Sequence, residues 1–463
     1  MHRSAHDTTR TTPQSGGAGT NWPLTIGLCA GYFLVLLDVT VVNVALPRLD
    51  ADLHAGTGLA WAVDAYTVPL AALLLAAGAV GDRLGHRRLV VIGFAGFGIA
   101  SIACALSSSI AVLIVGRALQ GVAAALMLPG TLAMLSQAAP DERARARVIG
   151  LWAAVGGAAL PAGPVVGGLL VQAAGWRAVF WLGVPIIVLA SAAVLTSAAG
   201  TPRPAEERGV DWGGTALLVV ALGCLVTAVI QGPGNSALGG AMLLAAVCAG
   251  VALWHVERRA PQPLLRVPPA ARRPLAIACG IAATMNLCVQ GALFVLTQIF
   301  QTVHGLSPLA VGLVMLPAMA PLPLLGTVSA KLTNRFGSWR TSALGLLIAV
   351  AGFTGLALTT RDAVDYPALL CSLAAWGTGI GILTPGIVTA AMRSAPGSPG
   401  TASGASNTSR QAGGAIGVAV FGAVAGTPAA PWFAQHVGIL MWAGAAAFLV
   451  ASVVCFLPAG TPN

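Results

Sequence analysis

The residues that could do chemistry in this sequence are a few charged side chains inside long apolar runs. Asp38 interrupts "FLVLLDVTVVNV" (33–44), Asp64 lies in "WAVDAY", and Arg117 lies in "GRALQGVAAALMLP" (116–129). A charge at bilayer depth is costly, so it usually faces a cavity and has a partner. A carboxylate and a guanidinium in such places suit proton binding and the handling of charged ligands.

Asp38 and Arg117 lie at matching depths in their apolar runs. Asp38 is about eight residues from the outer end of its predicted span and Arg117 about seven, which at about 1.5 Å per residue puts both about 11 Å below the outer boundary. We therefore expect that the two can pair. The hypothesis is that Asp38 carries a proton and that the proton competes with Arg117 or a cationic substrate for the carboxylate. The alternative is a permanent structural ion pair that never titrates.

The other polar residues of the apolar runs support weaker interpretations. Asp64, nearer the outer end of its span, is either a solvated acid of an outer vestibule or a substrate-binding acid. Arg410 lies near the cytoplasmic end of its span, and we expect a structural or gating role for it. Gln290 and Asn286 could contact a substrate, although polar packing between helices is the favoured role. The remaining intramembrane polar candidates are Asn43, Gln120 and Gln411.

The composition indicates a membrane protein. Of 463 residues, 57% are hydrophobic and 8% are charged, whereas soluble domains carry about 25% charged residues. The net charge of +10 suggests nucleic acid only when it clusters on a soluble surface, so we expect no nucleic-acid partner. There is no Walker loop, no nucleophile–base arrangement and no Cys/His metal spacing. We expect no enzyme activity, no cofactor and no metal.

The apolar runs predict fourteen membrane spans. About 20 helical residues cross a hydrocarbon core of about 30 Å. The predicted spans are 23–46, 59–80, 89–107, 110–137, 147–173, 178–198, 213–231, 237–255, 274–302, 308–332, 341–359, 365–391, 403–426 and 433–456. With the N-terminus inside, nineteen Lys and Arg residues fall on the inner side and three on the outer side. Because cytoplasmic loops carry the excess of Lys and Arg, both termini are predicted to be cytoplasmic.

A weak internal repeat divides the chain. "GDRLGHRR" (81–88) follows the second predicted span and "TNRFGSWR" (333–340) follows the tenth, as two parallel six-helix repeats require. We predict a disordered cytoplasmic tail (1–22), an N-terminal six-helix half (23–200), a central two-helix hairpin with linkers (201–273) and a C-terminal six-helix half (274–458). The fold class is an all-α membrane protein with fourteen transmembrane helices.

The 81–88 segment resembles the signature loop of the major facilitator superfamily. The tight turn needs Gly85, and the arginines anchor it on the cytoplasmic side. The residues at motif positions are Gly81, Asp82, Arg83, Gly85, Arg87 and Arg88. The resemblance implies a conformational latch between the halves. His86 stands where the family usually has an arginine or lysine.

Two further resemblances point to the drug:H+ antiporters of that superfamily. Gly163, Pro164, Gly167 and Gly168 match an antiporter motif that marks exporters in the family; small-residue helix packing is the alternative interpretation. "LDVTVVNVALP" (37–47), and Arg117 with Gln120 in the fourth span, resemble the fourteen-helix drug:H+ antiporters, especially the quaternary-ammonium and methylenomycin resistance exporters.

This resemblance implies a proton-coupled efflux transporter of the bacterial inner membrane. It would exchange protons for amphiphilic drugs by alternating access, with Asp38 and Arg117 bordering the central drug cavity. We expect a monomer whose partners are a small drug-like substrate, protons and the lipid bilayer. The alternatives are an exporter of one endogenous metabolite or antibiotic and a non-transporting membrane sensor or scaffold.

Overall fold

The computed structural model describes residues 21–56, 58–139, 141–197, 211–259, 268–359, 365–395 and 399–456, which form helices and no strand. Nearly all of the predicted N-terminal tail, and much of the predicted linkers within 201–273, lie outside these residues. The helices are α1 (Trp22–Leu53), α2 (Gly58–Leu84), α3 (His86–Ala105), α4 (Ile110–Ala138), α5 (Glu142–Ala174), α6 (Arg177–Thr196), α7 (Trp212–Gln231), α8 (Ser236–Arg259), α9 (Pro269–Thr302), α10 (Pro308–Val314), α11 (Leu316–Met319), α12 (Pro321–Leu324), α13 (Gly326–Phe336), α14 (Ser338–Thr359), α15 (Tyr366–Ser394), α16 (Pro399–Ala425) and α17 (Phe433–Val454).

Short polar residues fix where several helices begin. In each case a side-chain oxygen accepts a hydrogen bond from the backbone N–H three residues further on, which satisfies one of the four N–H groups that a helix start leaves free. The capping residues are Asn21, Ser109, Asp141, Asp211, Ser307 and Asp365. The starts of α1, α4, α5, α7, α10 and α15 are therefore set by local sequence.

Among the residues that the structure describes, twelve helices are long and apolar enough to cross a membrane. They coincide with twelve of the predicted spans, although several extend beyond the predicted bounds; α1 continues to Leu53 instead of ending at residue 46. The predicted span 403–426 coincides with α16, which is not among those twelve. The count of fourteen spans therefore stays a prediction.

The predicted span 308–332 is not one continuous helix. Four short helices, α10 to α13, follow one another over Pro308–Phe336. Pro317, Pro321 and Pro323 lie in this stretch, and each proline removes a backbone donor and clashes with the preceding turn. The sequence pattern gave the location of this segment correctly, whereas its prolines divide it into short helices.

The helices form two groups that meet along a shared interface. Helices α1 to α6 pack on one another, and so do α9 to α17. The groups touch where α2 meets α16, where α1 meets α9, and where α5 meets α10. In the α7–α8 hairpin, α7 packs against both α2 and α16, so the hairpin lies beside a contact between the two groups. We call the groups the N-terminal and C-terminal halves.

The turns repeat between the halves. Gly85 (φ +94°) precedes α3, and Gly337 (φ +84°) precedes α14, at the matching positions of "GDRLGHRR" and "TNRFGSWR". The N–H of Gly85 donates to the carbonyl of Gly81 at 2.9 Å, and that of Gly337 donates to Thr333 at 3.0 Å. Only glycine adopts this backbone region without strain. The other positive-φ glycines of the described residues also fall at matching turns: Gly56 with Gly305, and Gly175 with Gly426.

Candidate functional site

Asp38 and Arg117 form an ion pair inside the N-terminal half. Arg117 Nη1 donates to Asp38 Oδ2, which joins α1 to α4. Asp38 is 5% exposed and Arg117 is 1% exposed. The pairing expected from their depths is therefore present. Because both side chains are shielded from solvent, each charge is stabilised by the other, and removing one would leave an unpaired buried charge that strongly destabilises the fold.

Arg117 is also held by the second helix. Its Nε donates to the carbonyl of Ala62 at 2.9 Å, and its guanidinium lies 4.4 Å from the centre of the Tyr66 ring. The Tyr66 hydroxyl donates to the carbonyl of Val35 at 3.1 Å. Arg117 thus keeps contacts with α2 that do not involve Asp38, and Tyr66 ties α2 back to α1.

A chain of polar groups continues from Arg117 into the third helix. Arg117 Nη1 also donates to Gln120 Oε1 at 3.0 Å, and Gln120 Nε2 donates to Ser101 Oγ at 2.8 Å. The Cys104 thiol donates to Gln120 Oε1 at 3.5 Å. A small cavity beside Asp38 is lined by residues of α1, α3, α4 and α6. We call Asp38, Tyr66, Ser101, Arg117 and Gln120 the buried network.

The partners of Asp38 and Arg117 all lie in one half, and a place of the two residues beside a central cavity stays a prediction. The family resemblance places Asp38 and Arg117 beside a cavity between the halves. In the structure all of their hydrogen-bond partners, and the residues around the small cavity, belong to the N-terminal half. A 3.6-residue periodicity cannot tell which neighbours a charged residue meets when every face of the helix is apolar.

Asp64 lies on the face of α2 that meets the C-terminal half. A Cβ built at Gly422 would lie 3.7 Å from Ala60 Cβ, and one at Gly404 would lie 2.7 Å from Leu75 Cδ2. Residues 60, 64 and 75 share one face of a helix, so Asp64 lies between two contacts with α16. It is 0% exposed, which contradicts the interpretation as a solvated vestibule acid. Its Oδ1 accepts from Thr67 at 3.3 Å, and its Oδ2 has no partner.

The remaining intramembrane candidates do not join the buried network. Asn43 Nδ2 donates to the carbonyl of Val39 at 3.0 Å, while its Oδ1 has no partner. Gln290 is buried, and a Cβ at Gly414 would lie 3.1 Å from its Cγ; this fits the favoured packing role. Gln411 is partly buried on α16.

Arg410 has no described polar partner. It makes no hydrogen bond or ion pair with the residues that the structure describes, and its Nε is buried without a partner. Because α16 begins at Pro399, Arg410 lies about 16 Å along the helix.

The predicted latch loop is anchored within the N-terminal half. His86 Nε2 lies 3.0 Å from Asp82 Oδ1. Arg87 donates to the carbonyls of Val194 and Leu195 at 3.2 and 2.9 Å, and so it binds the end of α6. Arg83 and Arg88 are exposed. These bonds explain how the turn is positioned, and the latch role stays a prediction.

The predicted antiporter motif packs α5 against both halves. A Cβ at Gly163 would overlap Thr40 Oγ1, and one at Gly167 would lie 2.9 Å from the carbonyl oxygen of Val41 on α1. A Cβ at Gly168 would lie 2.5 Å from the carbonyl oxygen of Pro308 on α10.

The contact with α10 is mutual. A Cβ at Gly312 of α10 would overlap the carbonyl of Pro164 on α5. Small residues on both helices therefore allow close approach, and the motif forms part of the contact between the halves.

Several residues of the site were missed by sequence reasoning. Tyr66 and Ser101 belong to the buried network, and Tyr32 of α1 stacks on Trp152 of α5 with ring centroids 3.7 Å apart. Tyr66 follows Asp64 by two residues, and Ser101 is a polar residue in an apolar run. Those were the available signals, but nothing in the sequence pairs them with residues of other helices.

Comparison with known proteins identifies the family of this chain. Residues 28–418 match the model of the Major Facilitator Superfamily. The chain is 35% identical over 421 residues to the Tetracenomycin C resistance and export protein of Streptomyces glaucescens, covering 89% of this chain and 77% of that protein. It is 35% identical over 451 residues to the Methylenomycin A resistance protein of Bacillus subtilis strain 168, covering 95% of each. In fold it is similar to a D-xylose-proton symporter, with a TM-score of 0.70 at 12% identity over 94% of this chain and 97% of that one.

Proposed function

Because the chain belongs to the Major Facilitator Superfamily, we propose that it exports amphiphilic drug-like compounds in exchange for protons by alternating access. Its family and fold are those of membrane transporters, which are not enzymes, and relatives at 35% identity are named for antibiotic resistance and export. The observation that carries proton coupling is the buried ion pair of Asp38 and Arg117.

The buried network suits a proton-driven change. A proton on Asp38 removes the charge that holds α1 to Arg117. Arg117 still keeps the Ala62 carbonyl, the Gln120 amide and the Tyr66 ring, so α4 stays on α2 while the contact of α1 with α4 through Asp38 is weakened. Protonation thus biases one helix contact without leaving the guanidinium unpartnered.

A continuous packed path leads from Asp38 to the contact between the halves. Thr40 and Val41, within one turn of Asp38, pack against Gly163 and Gly167 of α5, and the next glycine, Gly168, packs against α10. These close contacts cannot shift independently, because packed interiors transmit small displacements. Release of α1 is therefore expected to move α5 against the C-terminal half.

Asp64 is the second proton site of this proposal. It lies between α2 and α16, where the halves meet, with one carboxyl oxygen lacking a partner. When these helices separate, water reaches the carboxyl group; when they close, a proton is the counter-charge available to it. A cycle of opening and closing would thus load and release a proton at Asp64.

The finer topology belongs to the same proposal. Fourteen spans are supported by the twelve apolar helices together with the α10–α13 segment and α16. The excess of cationic residues on the predicted inner side supports cytoplasmic termini, and the bacterial relatives support the inner membrane. We further propose that the chain works as a monomer and that the 81–88 loop acts as its latch.

The test is transport by the purified protein in liposomes under an imposed pH gradient. The substrates are a panel of cationic, neutral and anionic amphiphilic dyes. A gradient is expected to drive dye movement opposite to the protons, and Asp38→Asn is expected to remove the gradient-driven component. The control is Asp141→Asn, which also replaces an acid but keeps the side-chain cap of α5. Dye movement that ignores the gradient, or an Asp38→Asn protein that still follows it, would overturn the proposal.

A further inference from the structure

We infer that the small cavity beside Asp38 binds a water molecule, and that this water passes protons to Asp38 inside the N-terminal half. We call this place the water site. The inference rests on the proposed function, in which Asp38 carries a proton, and it specifies how the proton reaches the carboxylate. Because the cavity lies among α1, α3, α4 and α6, this route for the proton avoids the contact between the halves.

The cavity has the size and the lining of a site for one water molecule. Its volume is about 10 Å³, which is close to the least that holds a buried water, and such a water also needs two to four polar partners. Three polar side chains line the cavity, those of Asp38, Ser101 and Gln120, and its other lining residues are apolar side chains and a glycine. Asp38 is 5% exposed, so a water in the cavity can reach it.

The three polar side chains have free hydrogen-bonding capacity that a water molecule matches. Asp38 Oδ2 accepts from Arg117, while its Oδ1 makes no hydrogen bond with the residues that the structure describes. Ser101 Oγ accepts from Gln120 Nε2 and donates to the carbonyl of Phe97, which leaves one lone pair on the hydroxyl and one N–H on the amide. A water can therefore donate to Asp38 and Ser101 and accept from Gln120.

Among the described residues around Asp38, no side chain is available to give it a proton. The titratable groups close to it are Arg117 of α4, Tyr66 of α2 and Cys104 of α3. An arginine does not give up its proton in a protein, and the tyrosine hydroxyl and the cysteine thiol donate hydrogen bonds to other groups. The part of α6 that lines the cavity is apolar. Water is therefore the proton donor that can reach Asp38 Oδ1.

The proton step restores the bound water each time. An O–H bond of the water breaks as the carboxyl O–H of Asp38 forms, and the water takes a proton from a solvent water behind it. Ser101 lies four residues before the end of α3, and Val179, which also lines the cavity, lies two residues after the start of α6. These positions are about 3–6 Å along the helices, close to the end that the topology predicts to face outside, where an inward flow of protons begins.

Gly183 allows the water site to be filled without disturbing the ion pair. It lines the cavity on α6, and a Cβ built on it would lie 3.5 Å from Ser101 Oγ and 3.5 Å from Leu34 Cδ2. These are ordinary van der Waals distances, so Gly183→Ala occupies room in the cavity without overlap. Because alanine favours a helix over glycine, an unchanged or higher melting temperature is expected. Gly223→Ala on α7, with nothing within 4 Å of the added Cβ, is the matched control.

The experiment follows protonation of Asp38 by time-resolved infrared spectroscopy after a rapid drop in pH. The full-length protein is held in lipid nanodiscs, and the carboxyl C=O band of Asp38 is assigned by its loss in Asp38→Asn. Gly183→Ala is expected to slow the rise of this band by about tenfold or more, because the hydrogen bonds of the water to a charged group are lost from the path. Gly223→Ala is expected to keep the wild-type rate.

A second measurement detects the bound water directly. The difference spectrum between protonated and ionised Asp38 is expected to contain O–H stretching bands of this water, because its hydrogen bond to the carboxyl group changes. Such bands shift when the sample is prepared in water enriched in oxygen-18. The shifting bands are expected in the wild type and in Gly223→Ala, and they are expected to be absent in Gly183→Ala.

The outcomes are distinct from those of the export test. Equal protonation rates in wild type and Gly183→Ala, or a wild-type spectrum without bands that shift with oxygen-18, would overturn the water site and leave proton-driven export intact. An Asp38 carboxyl band that never appears would overturn both the water site and the role of Asp38 as proton carrier. Conversely, slower protonation and lost water bands in Gly183→Ala would support the water site even if dye movement ignored the pH gradient.

Discussion

Arg117 in the N-terminal half is surrounded by a carboxylate, a carbonyl, an amide and a tyrosine ring, whereas Arg410 in the C-terminal half meets none of these among the described residues. Both lie inside long helices of a membrane protein. The first is almost completely enclosed, and the second is partly exposed. The halves share their turn geometry but differ in how they compensate a buried charge.

The difference suggests a division of roles between the halves. A charge that is satisfied within one half responds to whatever changes its partner, and a proton on Asp38 does that. In our proposal the N-terminal half therefore responds to protons through Asp38, and the α5–α10 contact carries the response to the C-terminal half.

The largest expected effect is on the stability of the buried network. Arg117→Leu leaves Asp38 without its counter-charge and is expected to lower the free energy of unfolding by about 3–5 kcal/mol. Arg410→Leu breaks no hydrogen bond or ion pair among the described residues, so a change of no more than about 1 kcal/mol is expected. Denaturant unfolding of the two variants in the same detergent measures both values.

A double variant checks the cause of this difference. Asp38→Asn combined with Arg117→Leu removes both charges and is expected to recover part of the lost stability. Equal losses for Arg117→Leu and Arg410→Leu would mean that the two arginines are supported alike, and the comparison of the halves would fail.

An intermediate effect is expected at the contact between the halves. Gly168→Ala places a Cβ 2.5 Å from the carbonyl oxygen of Pro308 and 2.7 Å from Leu309 Cα. Overpacking of this kind costs about 1–3 kcal/mol, so we expect a lower melting temperature and slower gradient-driven transport. Gly150→Ala, on the same helix with nothing within 4 Å of the added Cβ, is the matched control. Transport at the wild-type rate in Gly168→Ala would remove α5 from the proposed path.

The smallest effect is expected at an exposed ion pair of the N-terminal half. Arg177 Nη1 donates to Asp52 Oδ2 at 2.6 Å, with the side chains 42% and 47% exposed. Exposed pairs contribute about 0.2–1 kcal/mol, and salt screens them. Asp52→Asn is expected to lower the free energy of unfolding only slightly at low salt and by even less at 1 M salt. A loss of unfolding free energy as large as that of Arg117→Leu would show that burial does not determine how much these ion pairs contribute to stability.

The sequence predicted much of the fold because its signals are local. Apolar runs of membrane length, capping residues such as Asp141 and Asp211, and the turn glycines Gly85 and Gly337 each act within a few residues of chain. Over 308–332 the same reasoning located a helical segment but not its breaks, because closely spaced prolines divide it into α10 to α13. The pattern of hydropathy locates such a segment without describing its backbone.

The candidate site was predicted in part. Depth counting predicted that Asp38 and Arg117 can pair, because distance along a helix follows from residue number. Their surroundings could not be predicted in this way: Tyr66 and Ser101 come from other helices, and Asp64 is enclosed by α16, more than 300 residues away in the chain.

The sequence by itself determined the membrane class, the places of the helices and turns, and the depths of the buried charges, since each follows from composition or from spacing along one helix. Only the tertiary structure decided which way those charges face. In helices that are apolar on every side, the hydrophobic pattern does not orient a polar residue. Close packing of helices distant in sequence therefore pairs Asp38 with Arg117 within one half and leaves Arg410 without a hydrogen-bond partner among the described residues.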